Sequence, residues 1–116
     1  MTTARLHVSE FITVAHVGDI PEGRGKACRC GEIGVAVFHV EGRYYALKDQ
    51  CPHMGAPLSL GSIEQGYVIC DRHLWAIRLE DGVCREASRL RTETYEVRVV
   101  GDEIQVRRPD CQAGSV

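Results

Sequence analysis

Short runs of alternating apolar and polar residues, separated by turns rich in glycine, recur along most of this chain. Such alternation places successive side chains on opposite faces of a strand and is typical of antiparallel sheets with one buried face. No segment has the 3.6-residue period of an amphipathic helix of ordinary length. The pattern therefore predicts an all-β protein with strands over residues 11–15, 26–30, 33–40, 43–47, 67–69, 75–79, 94–100 and 103–107.

The turns between these runs carry their own signals. Glu41-Gly42, Asp81-Gly82 and Gly101-Asp102 each separate two strand-like segments and predict hairpins. The sequence has no internal repeat and no linker of biased composition, so we expect a single domain over residues 1–116. Residues from about 109 to 116 are expected to form a frayed tail.

Composition excludes several classes of function. The 116 residues carry a formal charge of −2 and no long basic run, so nucleic acid is not an expected partner. No apolar stretch reaches the length of about 18 residues that spans a membrane. The N-terminal segment lacks the apolar core of a signal peptide, and we expect a cytoplasmic protein.

Two short motifs carry the candidate chemistry. Cys51-Pro52-His53 pairs a thiol with an imidazole, and Cys70-Asp71-Arg72-His73 does the same after residues 54–69. Two Cys and two His ligands fit a [2Fe–2S] cluster in which two imidazoles replace two of the usual four thiolates. We therefore predict that Cys51, His53, Cys70 and His73 bind one such cluster.

The charge of this ligand set indicates what the site does. An oxidised core with two thiolates and two neutral imidazoles carries no net charge, whereas four thiolates leave two negative charges. An electron enters the neutral site more easily, so potentials lie at roughly −150 to +300 mV, against about −400 mV for plant-type clusters. All four ligands come from the protein and no position is left for substrate. The motif predicts an electron carrier with no catalytic residues of its own.

A structural zinc site is the main alternative for the same four residues. Zinc accepts two Cys and two His ligands, but its usual motifs separate paired ligands by two residues or more. Cys51 and His53 are separated by one residue, and this spacing favours the cluster.

The segment from Cys51 to Ser59, Cys-Pro-His-Met-Gly-Ala-Pro-Leu-Ser, resembles the first cluster-binding loop of Rieske ferredoxins almost residue for residue. The resemblance covers residues 11–107. It implies the Rieske fold, an antiparallel β-sandwich base with an inserted cluster-binding subdomain at about 49–79. It also implies that Cys51 and Cys70 bind the inner iron and that His53 and His73 bind the outer one.

The second motif departs from the family pattern. Most of these ferredoxins have Gly directly after the second His, whereas this chain has His73-Leu74-Trp75. That variant resembles the ferredoxins of multicomponent toluene monooxygenases. It implies electron delivery from a flavin-containing NAD(P)H reductase to a terminal oxygenase that acts on an aromatic compound or hydrocarbon, by mono- or dioxygenation.

Three neighbours of the ligands have two interpretations each. Met54 and Leu74, which follow the two His residues, either form an apolar rim for docking or pack the two loops together. Trp75 either packs beneath the subdomain or shields the cluster and meets the partner.

Four cysteines remain outside the motifs: Cys28, Cys30, Cys84 and Cys111. Alternate residues of a strand point to one face, so Cys28 and Cys30 should lie side by side. In a reducing cytosol all four are expected as free thiols. The disulfide of high-potential Rieske proteins would need Cys at Ala56 and Arg72, and its absence indicates the ferredoxin-like branch.

Two other roles share this fold. The small subunit of an assimilatory NAD(P)H nitrite reductase has a similar length, although some of those subunits lack cluster ligands that this chain keeps. The Rieske domain of an oxygenase large subunit would be followed by a mononuclear iron domain, and 116 residues leave no room for one.

Overall fold

In the computed structural model, residues 11–52, 55–70 and 74–107 are described, and strands dominate them. The strands are β1 (Phe11–His16), β2 (Arg24–Cys30), β3 (Ile33–Val40), β4 (Arg43–Lys48), β5 (Ser62–Glu64), β6 (Tyr67–Ile69), β7 (Ala76–Arg78), β8 (Thr94–Tyr95), β9 (Val97–Val100) and β10 (Glu103–Arg107). Within these residues the one helical element is a 3₁₀ turn, Leu58–Leu60. The predicted all-β class is confirmed.

Three antiparallel sheets make up the fold. The first has the strand order β1-β10-β9, the second β2-β3-β4-β8 and the third β5-β6-β7. The first two pack face to face around a shared core, with Ile104 and Val106 of β10 against Val35 and Val37 of β3. This is the sandwich base that the sequence predicts.

Strand β3 is the wall between two cores because its side chains alternate. Val35 and Val37 point into the sandwich. Ala36 and Phe38 point the other way, into a second core that contains Cys51 and Cys70. All four residues have no exposed surface. Strand β3 therefore packs on one side into the sandwich and on the other into the core that contains Cys51 and Cys70.

The second core belongs to a long excursion between two paired strands. β4 pairs with β8 through Ala46 with Tyr95 and Leu47 with Thr94, and the Lys48 N–H donates to the Glu93 carbonyl at 2.9 Å. The chain leaves the base after Lys48 and returns at Glu93. The third sheet, β5-β6-β7, lies within this excursion, as does the expected subdomain at about 49–79.

The structure differs from the predicted strands at two places. Residues 94–100 do not form one strand, because the chain changes sheets at Glu96: β8 joins β4, whereas β9 pairs with β10. Ser62–Glu64 forms β5, which was not among the predicted strands, and it pairs with β6. A three-residue edge strand is too short for alternation to reveal.

The expectations for the other cysteines and for the C-terminal tail differ in whether they fall within the described residues. Cys28 and Cys30 lie side by side in the core of the sandwich, as predicted, and burial raises the pKa of the Cys28 thiol. The expected tail at 109–116 and Cys111 lie outside the described residues. Across the ranges given above, no helix is long and apolar enough to cross a lipid bilayer.

Candidate metal centre

Cys51 and Cys70 begin two loops with the same hydrogen-bond pattern. The Cys51 N–H donates to the Ala56 carbonyl and the Gly55 N–H to the Cys51 carbonyl, both at 2.7 Å. In the second loop the Cys70 N–H donates to the Trp75 carbonyl at 2.7 Å, and the Leu74 N–H to the Cys70 carbonyl at 2.9 Å. Each cysteine is thus held by the residues four and five positions after it.

The fourth position after each cysteine has a left-handed backbone. Gly55 has a φ of 78° and Leu74 a φ of 58°. Glycine adopts this conformation freely, whereas an L side chain there costs about 1–2 kcal/mol. The family's Gly after the second His therefore has a physical reason, and Leu74 occupies the position at a conformational cost.

Both cysteines are withdrawn from solvent. Cys51 is 2% exposed and Cys70 is fully buried. They share the second core with Leu58, Val68 and Ile77. Two thiols at the bases of matching loops, over one apolar floor, can supply the buried half of a metal site.

The imidazole half is located by sequence alone. His53 and His73 lie outside the described residues, as do Met54, Asp71 and Arg72. His53 is two residues after Cys51 and His73 is three after Cys70, so each belongs to the loop that its cysteine begins.

A profile of the Rieske [2Fe-2S] domain matches residues 10–99. This chain belongs to the Rieske [2Fe-2S] domain family. The resemblance noted in the sequence is confirmed, and the cofactor is one Rieske-type [2Fe–2S] cluster with two Cys and two His ligands.

Relatives of known name include oxygenase ferredoxins. The chain is 33% identical over 99 residues to the ferredoxin subunit of 3-phenylpropionate/cinnamic acid dioxygenase of Shigella boydii serotype 4 (strain Sb227), covering 83% of this chain and 92% of that one. The counterpart in Escherichia coli (strain K12) has the same identity and coverage.

Solved structures with this fold come from two functional settings. A putative NADH-dependent nitrite reductase small subunit from Mycobacterium tuberculosis superposes with a TM-score of 0.81 at 26% identity, over 88% of this chain and 97% of that one. A ferredoxin solved in complex with the oxygenase of carbazole 1,9a-dioxygenase gives 0.75 at 26% identity, over 84% and 92%.

The donor set of this Rieske chain fits its cluster. Thiolates are the ligands that hold iron–sulfur cores, and both cysteines of the motifs are buried in one apolar core. Burial of the thiols protects a cluster from water and oxidants. Zinc would not explain why the whole domain matches this family.

Thr92 braces the first Rieske loop from the returning chain. Its hydroxyl donates to the carbonyl of Gln50, the residue before Cys51, at 3.1 Å. Thr92 is 6% exposed and is the buried polar residue of the described ranges. This bond joins residues 42 apart in sequence and fixes where the loop leaves β4.

Asp49 closes the base of the same loop. Its carboxylate accepts the Ser59 N–H at 2.7 Å and the Ser59 hydroxyl at 2.8 Å. Since Asp49 precedes Cys51 and Ser59 follows it, the two-point contact ties together both ends of the first loop.

Glu86 braces the second loop from outside. Its carboxylate accepts the Ala76 N–H at 2.9 Å and the Arg85 guanidinium at 3.0 and 3.2 Å. Although partial burial raises the pKa of Glu86, these donors outweigh it and hold that pKa below its usual value. The carboxylate therefore stays charged beside the end of the loop that Cys70 begins.

A third loop spans residues 85–90. It is closed by the Cys84 N–H to the Leu90 carbonyl at 3.0 Å and by the Leu90 N–H to the Ala87 carbonyl at 2.8 Å. Cys84 is fully buried in the core that holds Cys51 and Cys70.

An open cleft of about 350 Å³ lies beside the first loop and reaches Cys51. Lys48, Arg91 and Glu93 line it, together with Gln50, Pro52, Gly55 and Thr92. The cleft gives this side of the centre a polar and charged border.

Sequence motifs found the cysteines but missed the braces. Asp49, Thr92 and Glu86 have no motif of their own, and the loop residues that they hold are 10 to 42 positions away. The sequence offers one weak indication of these contacts, which is the position of the acidic residue Asp49 two residues before Cys51.

Proposed function

We propose that Cys51, His53, Cys70 and His73 bind the Rieske cluster, and that this chain carries electrons from a flavin-containing NAD(P)H reductase to a terminal oxygenase. The observation that carries the proposal is the matched pair of loops that bury Cys51 and Cys70 over one core. When bound, such a cluster takes up and releases one electron at a time.

The protein itself positions the cluster ligands, keeps water away from them and presents a surface to the partner. The two loops fix the positions of the thiols, and the floor formed by Ala36 and Phe38 excludes water from below. The family resemblance implies that His53 and His73 bind the outer iron, so we place the docking tip at these two residues. We assign the cluster-binding subdomain to about residues 49–79.

A terminal oxygenase as the electron acceptor is supported by the named relatives. The ferredoxin subunits at 33% identity serve a dioxygenase of aromatic acids, and one structural neighbour is captured on its oxygenase. We propose an aromatic or hydrocarbon mono- or dioxygenase as the partner. We also propose a cytoplasmic site of action, where free thiols such as those of Cys28 and Cys84 stay reduced.

A second candidate is the small subunit of an assimilatory NAD(P)H nitrite reductase. The structural neighbour from Mycobacterium tuberculosis favours it, at a TM-score of 0.81. The two candidates differ in their electron acceptor, which is an oxygenase in one case and a sirohaem subunit in the other.

The cluster assignment is tested by anaerobic purification, followed by iron and sulfide analysis and EPR of the reduced protein. Two irons and two sulfides per chain, with a rhombic signal of average g below the free-electron value, are expected. One zinc ion and no EPR signal would contradict it. His53→Cys should lower the potential or abolish the cluster, whereas an unchanged spectrum and potential would remove His53 from the ligands.

The partner assignment is tested by mixing the reduced protein with a purified candidate terminal oxygenase, sought among the genes next to its own, and following reoxidation of the cluster. Fast reoxidation supports the proposed role. Tight co-purification with a large sirohaem subunit, without reaction with the oxygenase, would establish the second candidate.

A further inference from the structure

Three residues other than glycine have a left-handed backbone within the described ranges, and two of them are explained by hairpins. Glu41 and Gln65 have φ of 50° and each is followed by a glycine with positive φ. Each pair joins two paired strands through a two-residue turn, the geometry that requires positive φ at both positions. Leu74, with a φ of 58°, belongs to no such hairpin.

Within the described residues, no contact of the Leu74 side chain offsets its backbone strain. Its N–H bond to the Cys70 carbonyl would form equally well with glycine, as the matching bond of Gly55 demonstrates. Its side chain is 70% exposed and lies outside both apolar cores of the described residues. Among the described residues Leu74 therefore has no packing role, and Met54, with which it would pack the two loops together, lies outside them.

A strained backbone that persists without a packing reason points to function. Leu74 directly follows His73, which we propose as a cluster ligand, and its side chain is exposed to solvent. Burial of one leucine side chain against a partner protein is favourable enough to raise the affinity of the complex about tenfold.

We propose that Leu74 is an apolar docking contact for the terminal oxygenase, retained at the cost of backbone strain. This inference rests on the proposed function and names one residue of its docking tip. The oxygenase, rather than the reductase, is the chosen partner because a similar ferredoxin is found in complex with an oxygenase.

The test compares two asparagine variants, Leu74→Asn and Leu60→Asn. Asparagine tolerates the left-handed conformation, so the loop of Leu74→Asn keeps its shape and loses only the apolar side chain. Leu60 is the matched control because it is also 70% exposed in the same excursion, at the end of the 3₁₀ turn with no positive φ.

Each holoprotein is reduced and mixed in a stopped-flow instrument with the candidate terminal oxygenase used to test the proposed function. We expect the second-order rate constant to fall about tenfold for Leu74→Asn and to stay unchanged for Leu60→Asn. The loss should be as large at high salt as at low salt, because screening weakens charge contacts and leaves apolar ones. Midpoint potential and EPR spectrum should match those of the wild type.

A third variant separates docking from stability. Leu74→Gly relieves the strain, so its melting temperature should rise by about 2–5 °C, while its rate constant with the oxygenase falls as in Leu74→Asn. A rate loss alongside a higher melting temperature cannot come from a damaged fold.

Three results would overturn the inference while leaving the electron carrier in place. They are equal rates for Leu74→Asn and the wild type, a rate loss that tracks a shifted potential, and slower reduction by the reductase with normal transfer to the oxygenase. If the wild-type protein itself fails to reduce the oxygenase, the proposed function is wrong, and the docking role of Leu74 is wrong as well.

Discussion

Thr92 holds the residue before a candidate cluster ligand: its hydroxyl donates to the carbonyl of Gln50, immediately ahead of Cys51, at 3.1 Å. The bond links the outgoing and returning segments of the excursion just above the β4–β8 pair. Thr92 itself is buried, and both Thr92 and Gln50 border the open cleft beside the first loop.

Thr92→Val should destabilise the holoprotein by about 0.5–1.5 kcal/mol, the net contribution of one hydrogen bond, since it removes the donor to the Gln50 carbonyl. Thermal loss of the visible cluster absorbance would measure this as a lower melting temperature. Thr94→Val, an exposed change on β8, is the matched control and should melt close to the wild type. Equal melting of both variants would contradict a bracing role for Thr92.

Asp49 and Ser59 should matter for retention of the cluster more than for its potential. Asp49→Ala removes both bonds at the base of the first loop, and Ser59→Ala removes only the bond from the hydroxyl. We expect loss of iron to a chelator to be about tenfold faster in Asp49→Ala and less affected in Ser59→Ala. The order of the two rates tests the prediction, and the reverse order would refute it.

The contribution of Glu86 should depend on pH in a defined direction. Its folded-state pKa lies below the usual value, so its stabilising effect is present above the unfolded pKa of about 4.3 and is lost as pH falls through the folded pKa. Glu86→Gln should reduce the free energy of unfolding by at most about 1 kcal/mol at pH 7, because the group is partly exposed.

Denaturant titrations of the two proteins between pH 3 and 7 would measure this. The difference between wild type and Glu86→Gln should shrink toward zero at the acid end. Glu64→Gln, on an exposed position of β5, serves as the control for loss of one surface charge. A difference that grows at low pH would show that the sign is wrong.

Trp75 has a half-buried side chain packed against the core that contains Cys51 and Cys70, while its carbonyl accepts the Cys70 N–H. Trp75→Phe preserves the backbone bond and reduces the aromatic cover. We expect a changed midpoint potential or electron-transfer rate, because solvent exposure is among the factors that set the potential of such clusters. If both values remain those of the wild type, Trp75 is a packing residue only.

Sequence reasoning succeeded where the determining interactions are local. Ile33–Val40 and Glu103–Arg107 were predicted with the bounds that the structure has, because alternation and flanking turns define them. Residues 94–100 were predicted as one strand and are two. The crossing at Glu96 depends on which distant strands lie on either side, and the sequence does not contain that information in any local form.

At the candidate site too, local features could be predicted from the sequence and features that depend on tertiary contacts could not. The spacing of Cys51 and Cys70 within their motifs indicated their role, and the replacement of Gly by Leu74 was visible as a departure from the family pattern. Neither the left-handed backbone nor the exposure of Leu74 could be inferred, since both follow from how the loop is closed. The braces from Asp49, Thr92 and Glu86 likewise arise only once separate segments meet.

The pairing of β4 with β8 has an evolutionary consequence. Opposite residues of an antiparallel pair have Cα atoms about 4.5–5.5 Å apart, so the excursion between Lys48 and Glu93 departs and returns at almost the same point. The segment between these two residues can therefore change in sequence or length without separating β4 from β8. Selection could thus adjust the redox centre and its recognition surface while the sandwich beneath is inherited unchanged.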